Sequence, residues 1–506
     1  MIQFLDRLTA SVVSALESER TTLASSIVTF LCVTLVRTGL EQFSDVLSLS
    51  VVVLAHYTLC YVCLASCIVL VFHFISKVEI VKVVKVVLPS FVVLVIVPLV
   101  DALTPGSGAS NLSYFGPGTH DPVAEFLAFG TAQGVDGATL GVRIEISAMM
   151  VCSFLYGRYK GIGPTRSVLL VLSLYVTVFV HGLLPFFMQR STQALGLIYL
   201  YTDRLAAYYY LLVIPFTLSW IFFLASKRYF VAILRDLRYL RLAHFLLMFA
   251  IGLAFGFKGN DGVVTILRVF EVSMVPFALV LAAIFAIVSN NIQDKRIDAL
   301  SNPGRPLVAG VVDEMSYARV GWGCLAGALF YAAMSGFPAF FTILFVSATY
   351  YLYSAPPVRF KRVLILSKAI IAGNSLAFMM LGWVLAGGRL SDFPGPVTAY
   401  IMLGFTLALN FIDLKDEEGD RHAGIQTLPF RVGRATAQKF VGAAFFLVYM
   451  AALVAFDSML WLAPLTFAAG LQALLINRRR YRETPVFGVY LTSVAVFLVY
   501  VAYFAN

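Results

Sequence analysis

Charge is what this sequence has least of. Asp, Glu, Lys and Arg make up only 13% of its 506 residues, about half the share found in a soluble domain. That scarcity, with 60% hydrophobic residues and a mean hydropathy of +0.88, excludes an ordinary soluble chain. Cysteine is also sparse. All six (Cys32, Cys60, Cys63, Cys67, Cys152, Cys324) fall in apolar stretches, so no disulfide framework can be read. Cys60, Cys63 and Cys67 share one helix face, but further metal ligands are missing there, and small thiols packed at a helix contact are the simpler reading. A cleavable signal is absent as well. Met1–Arg20 carries Asp6, Arg7, Glu17, Glu19 and Arg20, with Leu5, Leu8, Val12 and Leu16 at helical spacing, and reads as an amphipathic helix on a membrane surface.

Long apolar runs are abundant. Runs of roughly 17–25 residues recur along the whole chain, each long enough to cross a bilayer as a helix. Their continuous rather than alternating pattern, and the cost of open strand edges in lipid, leave only helices. The expected fold is all-α integral membrane, with about 15 transmembrane helices. The basic amphipathic stretch Lys227–Arg241 divides them into six spans within residues 1–226 and nine from about 243 to 505, among them 318–334 and 396–413.

The net charge of +10 does not indicate nucleic acid, because Lys and Arg fall in short clusters between spans. Placing Lys227–Arg241 in the cytoplasm puts the other clusters on the same side, including Arg359, Lys361, Arg362 and Arg478, Arg479, Arg480. The long loop 104–139, which has no Lys or Arg, falls outside. The expected N-terminus is cytoplasmic.

Chemistry concentrates at two span ends on that side. Asn290, Asp294 and Asp298 are four residues apart and stack on one helix face. Asp413, Asp416 and Asp420, spaced by three and four, repeat the pattern. Two acidic faces at one membrane depth repel each other unless a cation lies between them. Mg²⁺ suits oxygen ligands and bridges carboxylates to phosphates. Arg305, Arg359, Lys361 and Arg421 stand nearby to hold phosphate oxygens. For a single Asp a solvated loop charge is the better reading; for two such ladders a magnesium-diphosphate site is.

These segments resemble the signatures of the UbiA superfamily of intramembrane prenyltransferases. Asn290-xxx-Asp294-xxx-Asp298 is similar to its first motif and Asp413-xx-Asp416-xxx-Asp420 to its second. Asn302-Pro-Gly-Arg305-Pro-Leu307, Tyr353-Ser-Ala-Pro-Pro-Val-Arg359-Phe-Lys361-Arg362 and Gly424-Ile-Gln-Thr-Leu-Pro429 resemble its intervening elements. The resemblance covers residues of about 240–506, and Asn291 departs from it where the family has Asp. It implies a nine-helix UbiA-like core, which the six spans of residues 1–226 precede as a separate membrane domain. It also implies Mg²⁺-dependent transfer of a prenyl chain from a polyprenyl diphosphate to a lipophilic acceptor (aromatic, tetrapyrrole or glycerolipid-type), within membrane lipid. The motifs nearest in form are those of the chlorophyll-synthase, homogentisate and archaeal glycerolipid branches. Asp294, Asp298, Asp416 and Asp420 are then catalytic. Asn290 and Asp413 join them as metal ligands, with Arg305, Arg359, Lys361 and Arg421 on the diphosphate and Tyr353 in the substrate cavity.

The competing reading is a transporter or lipid-handling protein that uses the acidic residues as an ion site. Transporters place such charges near the midplane in broken helices rather than at span ends. Residues 1–226 lie outside the resemblance and have no assigned role. Their Arg37–Glu41 and Arg143–Glu145 pairs read as interfacial charges, and His56, His73 and His181 as histidines satisfied at helix contacts, with delivery of a lipid-soluble substrate as the sharper alternative.

Overall fold

The computed structural model describes residues 2–43, 50–104, 114, 122–128, 138–197, 202–259, 265–415, 417, 421, 424–455 and 459–503. Asp416, Asp420 and most of the loop 104–139 lie outside the described residues. Among those described there are helices and no strands. Among the described residues fourteen helices are long and apolar enough to cross a membrane, and the chain is an integral, multi-pass membrane protein. The fifteenth expected span, 318–334, does form a helix, Glu314–Ser335. Arg319, Gly321, Gly323 and Gly327 make it less apolar than the others.

The helices gather into two compact units, Met1–Phe230 and Val231–Asn506. In the first, the amphipathic Ile2–Glu17 helix exposes Phe4, Leu8 and Val12 along one stripe. The most buried span is Val51–Ser76, started by a Ser50 side chain that accepts the Val53 amide. It packs against the Asp203–Ala225 and Pro164–Gly182 helices around Tyr57, Leu64, Ile68 and Phe72. The Ile80–Leu103 span is not one regular helix. A 3-10 stretch, Phe91–Val95, follows Pro89, whose missing N–H removes a helical bond. The Arg37–Glu41 pair differs from its interfacial reading, being 3% and 1% exposed inside the bundle. Arg37 Nε donates to Glu41 Oε1 at 2.6 Å and Nη1 to the Leu94 carbonyl at 2.5 Å, while Glu145 stands 3.9 Å away. Arg143 turns elsewhere, to the Ala138 carbonyl.

In the second unit two helix pairs make the frame. Ile266–Gln293 lies along Glu314–Ser335, and Tyr239–Gly259 along Leu364–Leu385. The latter two meet through glycine: a Cβ on Gly252 would strike the Met379 carbonyl, and one on Gly382 the Phe249 carbonyl. Small residues at such a crossing let backbones approach closely where lipid supplies no hydrophobic drive. The Gly395–Leu414 span is irregular. A short α-turn passes into π-helix at Tyr400–Phe405 and ends as 3-10 helix at Leu409–Leu414, so Asp413 sits on a tighter winding than the expected α-helical ladder.

Candidate active site

The first acidic ladder holds together across a helix junction. Ile266–Gln293 ends just before Asp294 and Lys295–Ser301 follows it. The Asp294 amide still bonds the Asn290 carbonyl, and the Asp298 amide the Asp294 carbonyl, at 2.9 and 2.8 Å. One face therefore carries Asn290, Asp294 and Asp298, and all three line a polar chamber of about 320 Å³. Asp413, from the irregular span, lines it too.

Each carboxylate meets a cation. Lys361 and Arg359 both bond Asp294, the latter at 3.0 Å. They come from the turn after Pro356–Pro357, where Arg359 takes a left-handed φ of 48°, a conformation uncommon outside glycine. Arg305 bonds Asp298, and Lys368 bonds Asp413 at 2.5 Å. Burial pushes the Asp298 carboxyl above the ordinary carboxylate range, while Arg305 pulls it back and Asp294 adds to the rise. Asn290 accepts from the Ser354 hydroxyl at 2.9 Å.

Of the residues singled out in the sequence, Asn290, Asp294, Asp298, Arg305, Tyr353, Lys361 and Asp413 line this chamber. Arg359 reaches Asp294 without joining the lining. Arg421 does not come to the site: it is exposed and bonds Glu417 one turn away, beside a segment that lies mostly outside the described residues. Asn291 faces away from the chamber. Its amide donates to Asp236 and Tyr317, and its carbonyl oxygen accepts from Arg305 at 2.9 Å. Burial raises the Asp236 carboxyl too, with Tyr317, Arg305 and Asn291 opposing.

Sequence reading missed Lys368, Arg238, Arg241, Lys415 and Glu483, which also line the chamber. Lys368 left a signal as the one charge in the apolar stretch 364–387. Arg238 and Arg241 were absorbed into the topology argument as members of a basic stretch.

Beyond the chamber lies an apolar cavity of about 210 Å³, lined by groups such as Phe245, Leu279, Phe378, Phe405, Trp461 and Phe497. Arg238, Arg241, Asn290, Tyr353, Ile412 and Phe487 border both spaces. A charged compartment thus opens onto an oily one.

Comparison with known proteins concerns the same part of the chain. Residues 245–487 match the UbiA prenyltransferase family. This part of the chain is a UbiA-family domain. Chloroplast chlorophyll synthase of Avena sativa is 30% identical over 157 residues, covering 29% of this chain and 41% of that protein. Digeranylgeranylglyceryl phosphate synthase of Haloquadratum walsbyi is 30% identical over 183 residues, covering 35% and 62%. The chain thus spans less than two thirds of the curated relatives it matches. The structure of a UbiA homolog from Archaeoglobus fulgidus bound to DMAPP and Mg²⁺ is similar at 19% identity and a TM-score of 0.44, covering 54% of this chain and 99% of that one. The UbiA-family match contains every chamber residue from Asn290 to Phe487 and excludes the first unit.

Proposed function

We propose that the UbiA-family domain transfers a prenyl group from a prenyl diphosphate to a lipophilic acceptor within the membrane. The observation that carries this reading is the shared wall between the two compartments. A prenyl diphosphate is an anionic head on an oily tail, and the paired spaces match it end for end.

The residues fit a divalent cation. Four carboxylates, Asp294, Asp298, Asp413 and Glu483, line one chamber with the Asn290 amide oxygen, and the buried Asp413 Oδ2 has no hydrogen-bond partner among the described residues. No group of three His, Cys, Asp or Glu residues among the described residues closes on one point. The best-fitting division of labour is Asn290, Asp294 and Asp298 from one face and Asp413 from the other, with Asp416 and Asp420 proposed from their spacing. A bound magnesium ion supplies charge neutralisation to the diphosphate leaving group. Arg305, Lys361 and Lys368 are released from their carboxylates when phosphate oxygens arrive, and then act as donors to them. The apolar cavity holds the tail and keeps water from the allylic cation formed as the carbon–oxygen bond breaks.

We also propose that the chamber faces the cytoplasm, because the Lys and Arg clusters adjoin its end of the spans. Membranes carrying the full chain should release diphosphate from geranylgeranyl diphosphate only with Mg²⁺ or Mn²⁺. Equal release in the presence of a chelator would contradict the reading. A cysteine placed at Gln293 should react only with reagents admitted to the cytoplasm, and labelling from outside would reverse the orientation.

A further inference from the structure

Behind the wall of the polar chamber lies a polar cluster that the head-group chemistry does not use. Asn291 is 3% exposed and Tyr317 fully buried, and neither they nor Asp236 line the chamber or the apolar cavity. Three helices meet there. Asp236 ends Lys227–Asp236, Asn291 lies in the last turn of Ile266–Gln293, and Tyr317 in the first turn of Glu314–Ser335. Two donors converge on one carboxylate oxygen. Asn291 Nδ2 donates to Asp236 Oδ2 at 3.0 Å, and the Tyr317 hydroxyl donates to the same oxygen at 2.8 Å. Asn291 Nδ2 also reaches the Tyr317 hydroxyl at 3.1 Å. On its other side Asn291 Oδ1 accepts from Arg305 Nη1 at 2.9 Å. Groups with no choice set the sense of this chain, because a guanidinium only donates and an ionised carboxylate only accepts. The Asn291 amide therefore keeps its oxygen toward Arg305 and its nitrogen toward Asp236.

A carboxylate is out of place at 236. It closes a helix whose C-terminal end favours cations, and it is half-buried. The family carries its carboxylate at 291 instead. Carboxylates at both positions would set two like charges at the 3.0 Å that now separates Asn291 Nδ2 from Asp236 Oδ2, a contact that cannot hold both ionised. The amide at 291 and the acid at 236 thus belong together. Arg305 stands between two holds. Its bond to Asp298 is on the chamber wall and is the one exchanged for a phosphate oxygen. Its bond to Asn291 lies behind the wall and need not break. Arg305 itself sits in a turn, its amide bonded to the Asn302 carbonyl at 3.1 Å, so the aim of its side chain depends on outside support.

We propose that Asp236 is the positioning residue for Arg305. Acting through Asn291 and Tyr317, it takes the place of the carboxylate that the family carries at 291 and keeps Arg305 aimed at the diphosphate when the Asp298 bond is given up. The inference rests on the prenyl-transfer reading. Asp236 touches no substrate. Without it the Asn291 amide can turn over and present N–H groups to the guanidinium, which displaces Arg305. A donor aimed in advance costs less to order on binding, so the loss falls on affinity for the prenyl diphosphate rather than on the rate of bond breaking.

The test uses the full chain in lipid nanodiscs with Mg²⁺. Affinity is read from the shift in unfolding temperature with geranylgeranyl thiolodiphosphate, an analogue that is not cleaved. Diphosphate release from geranylgeranyl diphosphate gives KM and kcat per folded molecule. Asp236→Ala should weaken the analogue and raise KM roughly tenfold, the worth of one hydrogen bond, with kcat within about threefold of wild type. Asp236→Asn keeps an acceptor oxygen for both donors and should recover most of that loss. Asn291→Asp should weaken binding about tenfold as well. Adding Asp236→Asn to it should restore binding, because the exchanged pair again holds one carboxylate and one amide. A cluster that only supports the fold would lower the unfolding temperature of Asp236→Ala and leave both affinities at the wild-type value, which would overturn the proposal. So would an Asn291→Asp chain that binds like wild type, or a double variant no better than Asn291→Asp alone. Binding of the analogue needs no turnover. A wild type that binds it and releases no diphosphate would contradict prenyl transfer, and the same variants would still decide the role of Asp236.

Discussion

Both units bury charge, but they do so for different ends. In the first, Arg37 is closed upon Glu41 and the Leu94 carbonyl, and Asp101 accepts from the Thr139 hydroxyl and the Gly141 amide. Buried His56 joins Asp203, whose side chain is partly exposed, at 2.7 Å. These groups bind helices to one another. In the second, Asp294, Asp298 and Asp413 are also paired with cations, yet each pair stands on the wall of a space. An ion pair that faces a cavity can be exchanged for a ligand, whereas one sealed among helices can only be broken. Buried charge in a membrane protein therefore does not mark a site until the geometry around it is known.

The sharpest way to break this contrast is to remove one partner in each unit. Arg37→Leu deprives the buried Glu41 of its ion-pair partner and should cost about 3–5 kcal/mol in stability. Diphosphate release per folded molecule should not change; unfolding followed in nanodiscs beside turnover checks both halves. Asp294→Asn and Asp413→Asn keep the shape and remove the charge. Each should lower diphosphate release about 100- to 1000-fold per folded molecule, as expected when stabilisation of developing charge is lost, and Asp413→Asn should also lower the unfolding temperature because it leaves the buried Lys368 ammonium without its carboxylate. Wild-type turnover in either would erase the distinction between the units. Lys368→Met should raise KM for the prenyl diphosphate roughly tenfold or more, the worth of a hydrogen bond to a charged group. Gly382→Ala should destabilise by about 3 kcal/mol or more, because the added Cβ would meet the Phe249 carbonyl and the Leu253 amide, backbone atoms that cannot turn aside. Its companion loss of activity should follow the fraction unfolded.

The sequence made the first acidic face legible because spacing by four survives the helix junction at Asp294. The second was legible as chemistry but not as geometry. Hydropathy marks where the 396–413 span lies, while the π and 3-10 turns that aim Asp413 depend on packing with neighbouring helices. Lys368 stayed hidden because its partner is 45 residues away in sequence. Arg37 and Glu41 read as interfacial because charges four apart usually are, and only the fold encloses them. The Tyr317–Asp236 bond joins residues 81 apart, and no local pattern announces such a contact. Membership of the family could be read from five short segments, since each serves a local turn or face.

The wall shared by chamber and cavity has one more consequence. Head and tail sites joined by a single mouth act on a tethered ligand as a bivalent receptor does. Once the diphosphate is seated, the tail binds at an effective concentration set by its attachment, not by its level in the bilayer. Inorganic diphosphate and a free prenyl alcohol should therefore each compete weakly. A non-hydrolysable molecule carrying both parts should compete far better than their mixture, and its advantage should vanish when the link is too short to pass the mouth formed by Arg241, Asn290 and Tyr353.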